Sequence, residues 1–163
     1  MVDSKKVQHY PELDEIDLKL LELLAQNARM SNQELAAATG IAPSTCLGRV
    51  RNLVQSKVIT GFTAEIAPDA LGLSLQALIS VTLRAGARAN LSEFSKQMQK
   101  HPQVIQVFFL GGAEDFIVHL AVRNSDEVRE FVLEQLSNNA SVANTRTNIV
   151  FDHYHSGPFG YVE

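Results

Sequence analysis

Between Pro43 and Leu53 the chain sets out groups that hydrogen bond and pair with anions. They are hydroxyls at Ser44 and Thr45, a bare backbone position at Gly48, guanidiniums at Arg49 and Arg51, and an amide at Asn52; the ammonium of Lys57 follows. On a helix, positions three and four apart share a flank, and such a flank can read base edges in a DNA groove and meet its phosphates. A second set is Gly111-Gly112-x-x-Asp115. Glycines let a carboxylate approach backbone amides, and an aspartate beside them can take an ammonium group, so this segment would suit a free amino acid. By pattern alone, a tight glycine hairpin with a solvated aspartate is the commoner meaning of the same residues.

The first set needs a helix held out by a second one. Ser31-x-x-Glu34 is a capping box that starts a short helix, Gly40 is a stop, and Pro43 sits where its missing N–H costs nothing. The helix beyond Pro43 is expected to pack through Leu47, Val50, Leu53 and Val54, leaving the polar flank outside. That is the build of a helix-turn-helix, whose second helix enters the major groove. Helix pairs with a glycine corner also occur in all-α domains that touch no DNA. Charge separates the two readings: from Leu35 to Ala64 there is no Asp or Glu, although 18 acids against 14 bases give the whole chain a net charge of −4. A local acid-free surface points to a polyanion partner even where the global charge does not.

Ahead of this pair, Leu13, Ile16, Leu20, Leu23 and Leu24 recur at helical spacing, with Asp14, Glu15 and Asp17 in the first turn where the helix dipole favours acids. A three-helix domain over residues 12–60 follows. In residues 61–73, Phe62, Ala64 and Ile66 alternate with polar residues, predicting a linking strand that needs a partner from this chain or a second copy. From Leu75 the pattern becomes strand, helix capped by Asn90-x-x-Glu93, strand from Val104, strand from Asp115, helix capped by Asn124, and strand from Val142. This β-α-β-β-α-β order, over residues 74–155, is the ferredoxin-like plan, with both helices on one face of a four-stranded sheet. Its other face is expected to be open and apolar, which predicts self-association into at least a dimer. Phe109 is expected in the core, and residues 156–163 form a tail.

Other chemistry finds little support. Cys46 stands alone, suits a reducing compartment and is expected to serve packing. Asp152, His153 and His155 could approach a metal, but no third strong ligand is near in sequence. No nucleophile with a base, phosphate loop or cleft-forming carboxylate pair is present, so neither catalysis nor a cofactor is expected. No apolar run is long enough for a membrane span and no signal-like segment begins the chain, which predicts a cytoplasmic protein.

With these residues in view, the chain resembles the Lrp/AsnC (leucine-responsive, "feast/famine") transcription regulators from about Leu13 to Asp152. The resemblance rests on Leu13-Asp14-x-x-Asp17, Asn27-Ala28-Arg29-Met30-Ser31, Pro43-x-x-Cys46-Leu47-x-Arg49-Val50-x-x-Leu53, Val58-Ile59-x-Gly61-Phe62 and Gly112-x-x-Asp115-Phe116. It implies an α+β chain with an N-terminal winged-helix-like DNA-binding domain and a βαββαβ effector domain. It also implies dimers pairing through the interdomain strand, frequent octamers, and response to an amino acid bound at a subunit interface. It tips Gly111, Gly112 and Asp115 toward effector binding and adds Thr145 and Thr147 from the last strand. Gly48 stands where many relatives carry arginine and Lys57 where glycine is common, departures that bear on the operator sequence. The expected DNA-contacting set is therefore Ser44, Thr45, Gly48, Arg49, Arg51, Asn52 and Lys57. The rival reading is an amino-acid-sensing subunit of a metabolic enzyme, which gives no reason for the acid-free window.

Overall fold

The computed structural model describes residues 10–154 and 157–159, the side chains of residues 88–90 excepted. The chain divides between Glu65 and Ile66 into two units, each with its own core.

The N-terminal unit holds three helices: α1 (Glu15–Gln26), α2 (Asn32–Thr39) and α3 (Pro43–Gln55). The Ser31–Glu34 box forms as expected, the Ser31 N–H donating to Glu34 Oε2 at 2.6 Å and the Glu34 N–H to Ser31 Oγ at 3.3 Å. The first of these bonds holds the Glu34 carboxyl below its ordinary range. Gly40 ends α2 with φ of +69°, a left-handed turn that costs a residue without Cβ nothing. The Asn32 side-chain amide donates to the Pro43 carbonyl at 2.8 Å and closes the corner.

The core side of α3 holds two of the four expected residues, Val50 and Leu53, joined by Cys46 in place of Leu47 and Val54. Cys46 and Leu53 are buried and Val50 half-buried, while Leu47 and Val54 are exposed. Residues 46, 50 and 53 are one helical stripe, and α1 and α2 pack on that stripe rather than on its neighbour. Burial also raises the Cys46 thiol's pKa.

After α3 the chain turns through Lys57, whose φ is +62°. The turn is closed by the Lys57 N–H donating to the Val54 carbonyl and the Ile59 N–H to Leu53. A side chain costs about 1–2 kcal/mol in this conformation. Lys57→Gly is therefore expected to stabilise the N-terminal unit by about 0.5–1 kcal/mol, the strain relief less glycine's extra unfolded-state entropy. Urea denaturation at unchanged m-value measures it. A loss instead would mean that the lysine side chain outweighs the strain.

Residues 60–67 are exposed and form no ladder with the other described residues. The alternation predicting a linking strand is present, but a strand forms only where another backbone takes its amides, and none among the described residues does.

The C-terminal unit follows the expected order: β1 (Leu75–Leu83), α4 (Leu91–Gln99), β2 (Val104–Phe109), β3 (Phe116–Val122), α5 (Ser125–Phe131) and β4 (Val142–Val150). The sheet runs β2-β3-β1-β4 and is antiparallel throughout. Asn124 caps α5 through the Glu127 N–H; the expected Asn90 cap lies outside the described side chains. A π-helical stretch, Val132–Ser137, extends α5 and brings Leu136 into the core. Ala77, Ile79, Val81 and Leu83 of β1 and Phe116, Val118, Leu120 and Val122 of β3 meet Phe94, Met98, Val128, Phe131 and Leu136 from the helices.

Two expectations need correction here. Phe109 is 58% exposed, because β2 is an edge strand, although its ring still leans on Phe116. The face opposite the helices is mixed rather than wholly apolar: strand alternation and register place Gln76, Ser80, Thr82, His119, Asn144 and Arg146 there beside Leu78, Phe108, Ile117, Ala121 and Val150. His119 is buried on that face, with Nε2 2.9 Å from Gln76 Oε1 and its ring 6.1 Å from that of His153. Burial first, then His153, lowers its pKa. No helix among the described residues is long and apolar enough to cross a membrane.

Candidate nucleic-acid interface and effector site

Ser44, Thr45, Gly48, Arg51 and Asn52 are all exposed on α3, as is Lys57 just past it. Pro43 and the uncapped Ala42 begin the helix, so its first turn presents hydroxyls with no acid among them. Gly48 has open space where a Cβ would stand. None of the described residues fills that space, and the backbone there is open to close approach.

Arg49 is placed otherwise. Its Nη1 lies 2.7 Å from Asp14 Oδ2 and 2.9 Å from Asp17 Oδ1, and the side chain is only 29% exposed. The two acids form a reciprocal capping box of their own: the Asp17 N–H donates to Asp14 Oδ1 at 2.9 Å and the Asp14 N–H to Asp17 Oδ2 at 3.4 Å. Each carboxylate thus gives one oxygen to the backbone and the other to Arg49. The Asp17 amide first, and Arg49 after it, hold the Asp14 carboxyl below its ordinary range; Asp14 first and Asp17 second raise the Arg49 pKa.

Arg49, expected among the DNA contacts, is thus engaged by both acids of α1 in the DNA-free chain. The acid-free window is real along the sequence, but α1 brings two acids to it in space. The exposed cations that remain from the expected set are Arg51 and Lys57.

Asp115 is not the solvated acid of a hairpin. It is 8% exposed and latches β3 to β1: Leu83 N–H donates to its Oδ2 at 2.7 Å and its own N–H donates to the Val81 carbonyl at 2.9 Å. The regular β1–β3 register ends at Val81 opposite Phe116, and the side chain continues it by one more bond. Gly111 and Gly112 are exposed, with open space at each missing Cβ.

Thr145 and Thr147 stand opposite Val81 and Ile79 and so share the helix-covered face. The neighbouring residues of β4 face the other way. There a recess of about 220 Å³ is lined by Ser80, Thr82, Ala113, Glu114, Asn144 and Arg146, with Arg146 ion-paired to Glu114. The recess therefore joins Ala113 and Glu114 of the loop to Arg146; Gly111, Gly112 and Asp115 are not among its lining residues, and the two threonines lie on the opposite face. Sequence reasoning passed over Glu114 and Arg146. Their signal was an acid next to Asp115 and a single arginine between two threonines, neither unusual on a sheet surface.

Among the described residues no three His, Cys, Asp or Glu side chains gather where they could hold a metal ion. His155, half of the expected pair, lies outside those residues.

These two arrangements match known proteins. The family model of the Lrp/AsnC ligand binding domain matches residues 76–158, and that of a winged helix-turn-helix DNA-binding domain matches residues 13–60. The HTH-type transcriptional regulator AldR of Mycobacterium tuberculosis is 51% identical over 92% of this chain and 84% of its own length. A crystal structure of the mycobacterial AldR superposes with a TM-score of 0.72 at 46% identity, over 89% of this chain and 98% of that one. A transcriptional regulator from Neisseria meningitidis, solved as its L-Met complex, gives a TM-score of 0.80 at 29% identity, over 91% of this chain and 97% of that one. With both halves matched in order, the chain belongs to the Lrp/AsnC family and is a DNA-binding transcriptional regulator, not an enzyme.

Proposed function

We propose that the exposed flank of α3 reads an operator in the major groove and that a free amino acid, bound by the C-terminal unit at a subunit interface, adjusts that binding. The observation that carries the DNA half is the division of α3. Cys46, Val50 and Leu53 anchor it, while Ser44, Thr45, Gly48, Arg51 and Asn52 are left outside. Hydroxyls and an amide suit base edges, and Arg51 and Lys57 suit phosphates.

For the effector, the recess at Ala113, which follows Gly111 and Gly112 in the chain, offers an acid, Glu114, and a base, Arg146. A free amino acid carries the complementary ammonium and carboxylate and can exchange with that pair. The L-Met bound by the Neisseria regulator supports the ligand class. Thr145 and Thr147 face away from the recess and are left out of this assignment. Self-association, to a dimer or beyond, is supported by Phe151, 98% exposed, and by Phe62 and Ile66 in a segment whose amides lack a ladder.

The test is duplex binding followed over a salt series. Arg51→Ala should weaken it by about 1–3 kcal/mol and reduce the log–log salt slope by about one unit. Unchanged affinity and slope would remove Arg51 from the interface. A wild-type protein without salt-dependent duplex binding would remove the groove-reading role of α3.

A further inference from the structure

We infer that Arg49 is a positioning residue for DNA recognition: braced on the Asp14–Asp17 capping box, it sets how α3 is presented and does not itself touch the duplex. The inference rests on α3 being the groove-reading helix and adds how that helix is held.

The geometry supports a brace. Arg49 lies in the middle of α3, and its partners lie more than thirty residues earlier, at the start of α1. The four oxygens of Asp14 and Asp17 are divided between two backbone amides and the guanidinium, so the contact is fixed from several directions. Arg49 Nε is buried and has no hydrogen-bond partner among the described residues, showing that the guanidinium is turned inward at that edge. Swinging out to a phosphate would leave two neighbouring carboxylates without their shared cation, close to where DNA must come. Arg51, two residues on, is exposed and has no such partner among the described ion pairs.

A brace and a direct contact make opposite predictions for the acids. If Arg49 met phosphate, removing an acid would free it and lessen repulsion, so Asp17→Asn would tighten binding. If it braces α3, Asp17→Asn should weaken specific binding just as Arg49→Ala does.

The experiment uses the full chain, a duplex selected by the wild-type protein from a random pool, and a scrambled duplex, each over a salt series. Arg49→Ala and Asp17→Asn should both lose about five- to tenfold in specific affinity. The salt slope and the affinity for scrambled duplex should stay as in wild type, and Arg49→Lys should recover part of the loss. Tighter binding by Asp17→Asn, or a slope reduced by about one unit in Arg49→Ala, would overturn the inference in favour of direct contact. An equal loss on both duplexes, matching a reduced active fraction by stoichiometric titration, would overturn it in favour of a purely structural contact. Failure of the wild type to select any duplex would instead strike the groove-reading role of α3.

Discussion

Truncating Phe116 to alanine should cost the C-terminal unit about 3–5 kcal/mol and lower its melting temperature by more than about 10 °C. The N-terminal unit's transition should stay where it was. Phe116 opens β3, is almost wholly buried, and sits between two other rings, Phe94 of α4 at 4.9 Å and Phe109 of β2 at 5.2 Å. Removing it empties the space under the sheet where the helix layer and the edge strand meet. Phe109, already 58% exposed, then loses the surface it leans on. The N-terminal unit shares none of these contacts, because its core is built from Leu20, Leu24, Leu35, Ala36, Cys46 and Leu53. Differential scanning calorimetry reads both transitions. Equal shifts in the two would contradict separate cores. Phe116→Leu keeps most of the volume and should lose distinctly less.

The second large effect is expected one residue earlier. Asp115→Ala should destabilise the same unit by about 1–3 kcal/mol, because it strands the Leu83 N–H that now donates to Asp115 Oδ2 in a buried setting. Asp115→Asn keeps an acceptor oxygen and should lose much less. The same latch holds the end of the glycine loop against β1, so Asp115→Ala should also blunt any thermal stabilisation by a free amino acid. A screen of the twenty amino acids against wild type identifies the ligand, since one that prefers the native state raises apparent stability. Full wild-type stability in Asp115→Ala would mean that water satisfies Leu83 and that the carboxylate is no latch. An undiminished ligand shift would detach the latch from the recess.

The same two residues show how far a sequence can be read here. That Phe116 shares a face with Val118, Leu120 and Val122 is legible in the sequence, because strand alternation is a local property. For Asp115 local pattern suggests a solvated hairpin acid and the resemblance an effector contact; neither marks the latch, because its partner, Leu83, is 32 residues away and no local pattern marks a side chain that continues a sheet register.

What the sequence determined by itself was whatever depends on residues within a turn or two of each other. The Ser31–Glu34 box, the left-handed Gly40, the start at Pro43, the alternating strands and their β-α-β-β-α-β order all belong to that class. The residues matching the Lrp/AsnC pattern lay in the same local stretches, so the family too was legible. Tertiary structure alone decided that Leu47 and Val54 stay outside the core that Val50 and Leu53 join, that Arg49 is paired with Asp14 and Asp17, and that Glu114 and Arg146, not Thr145 and Thr147, share a recess. The physical reason is common to all three. Hydrogen-bonded caps and side-chain periodicity are short-range, whereas burial and ion pairing depend on which surfaces meet after the chain has folded back on itself.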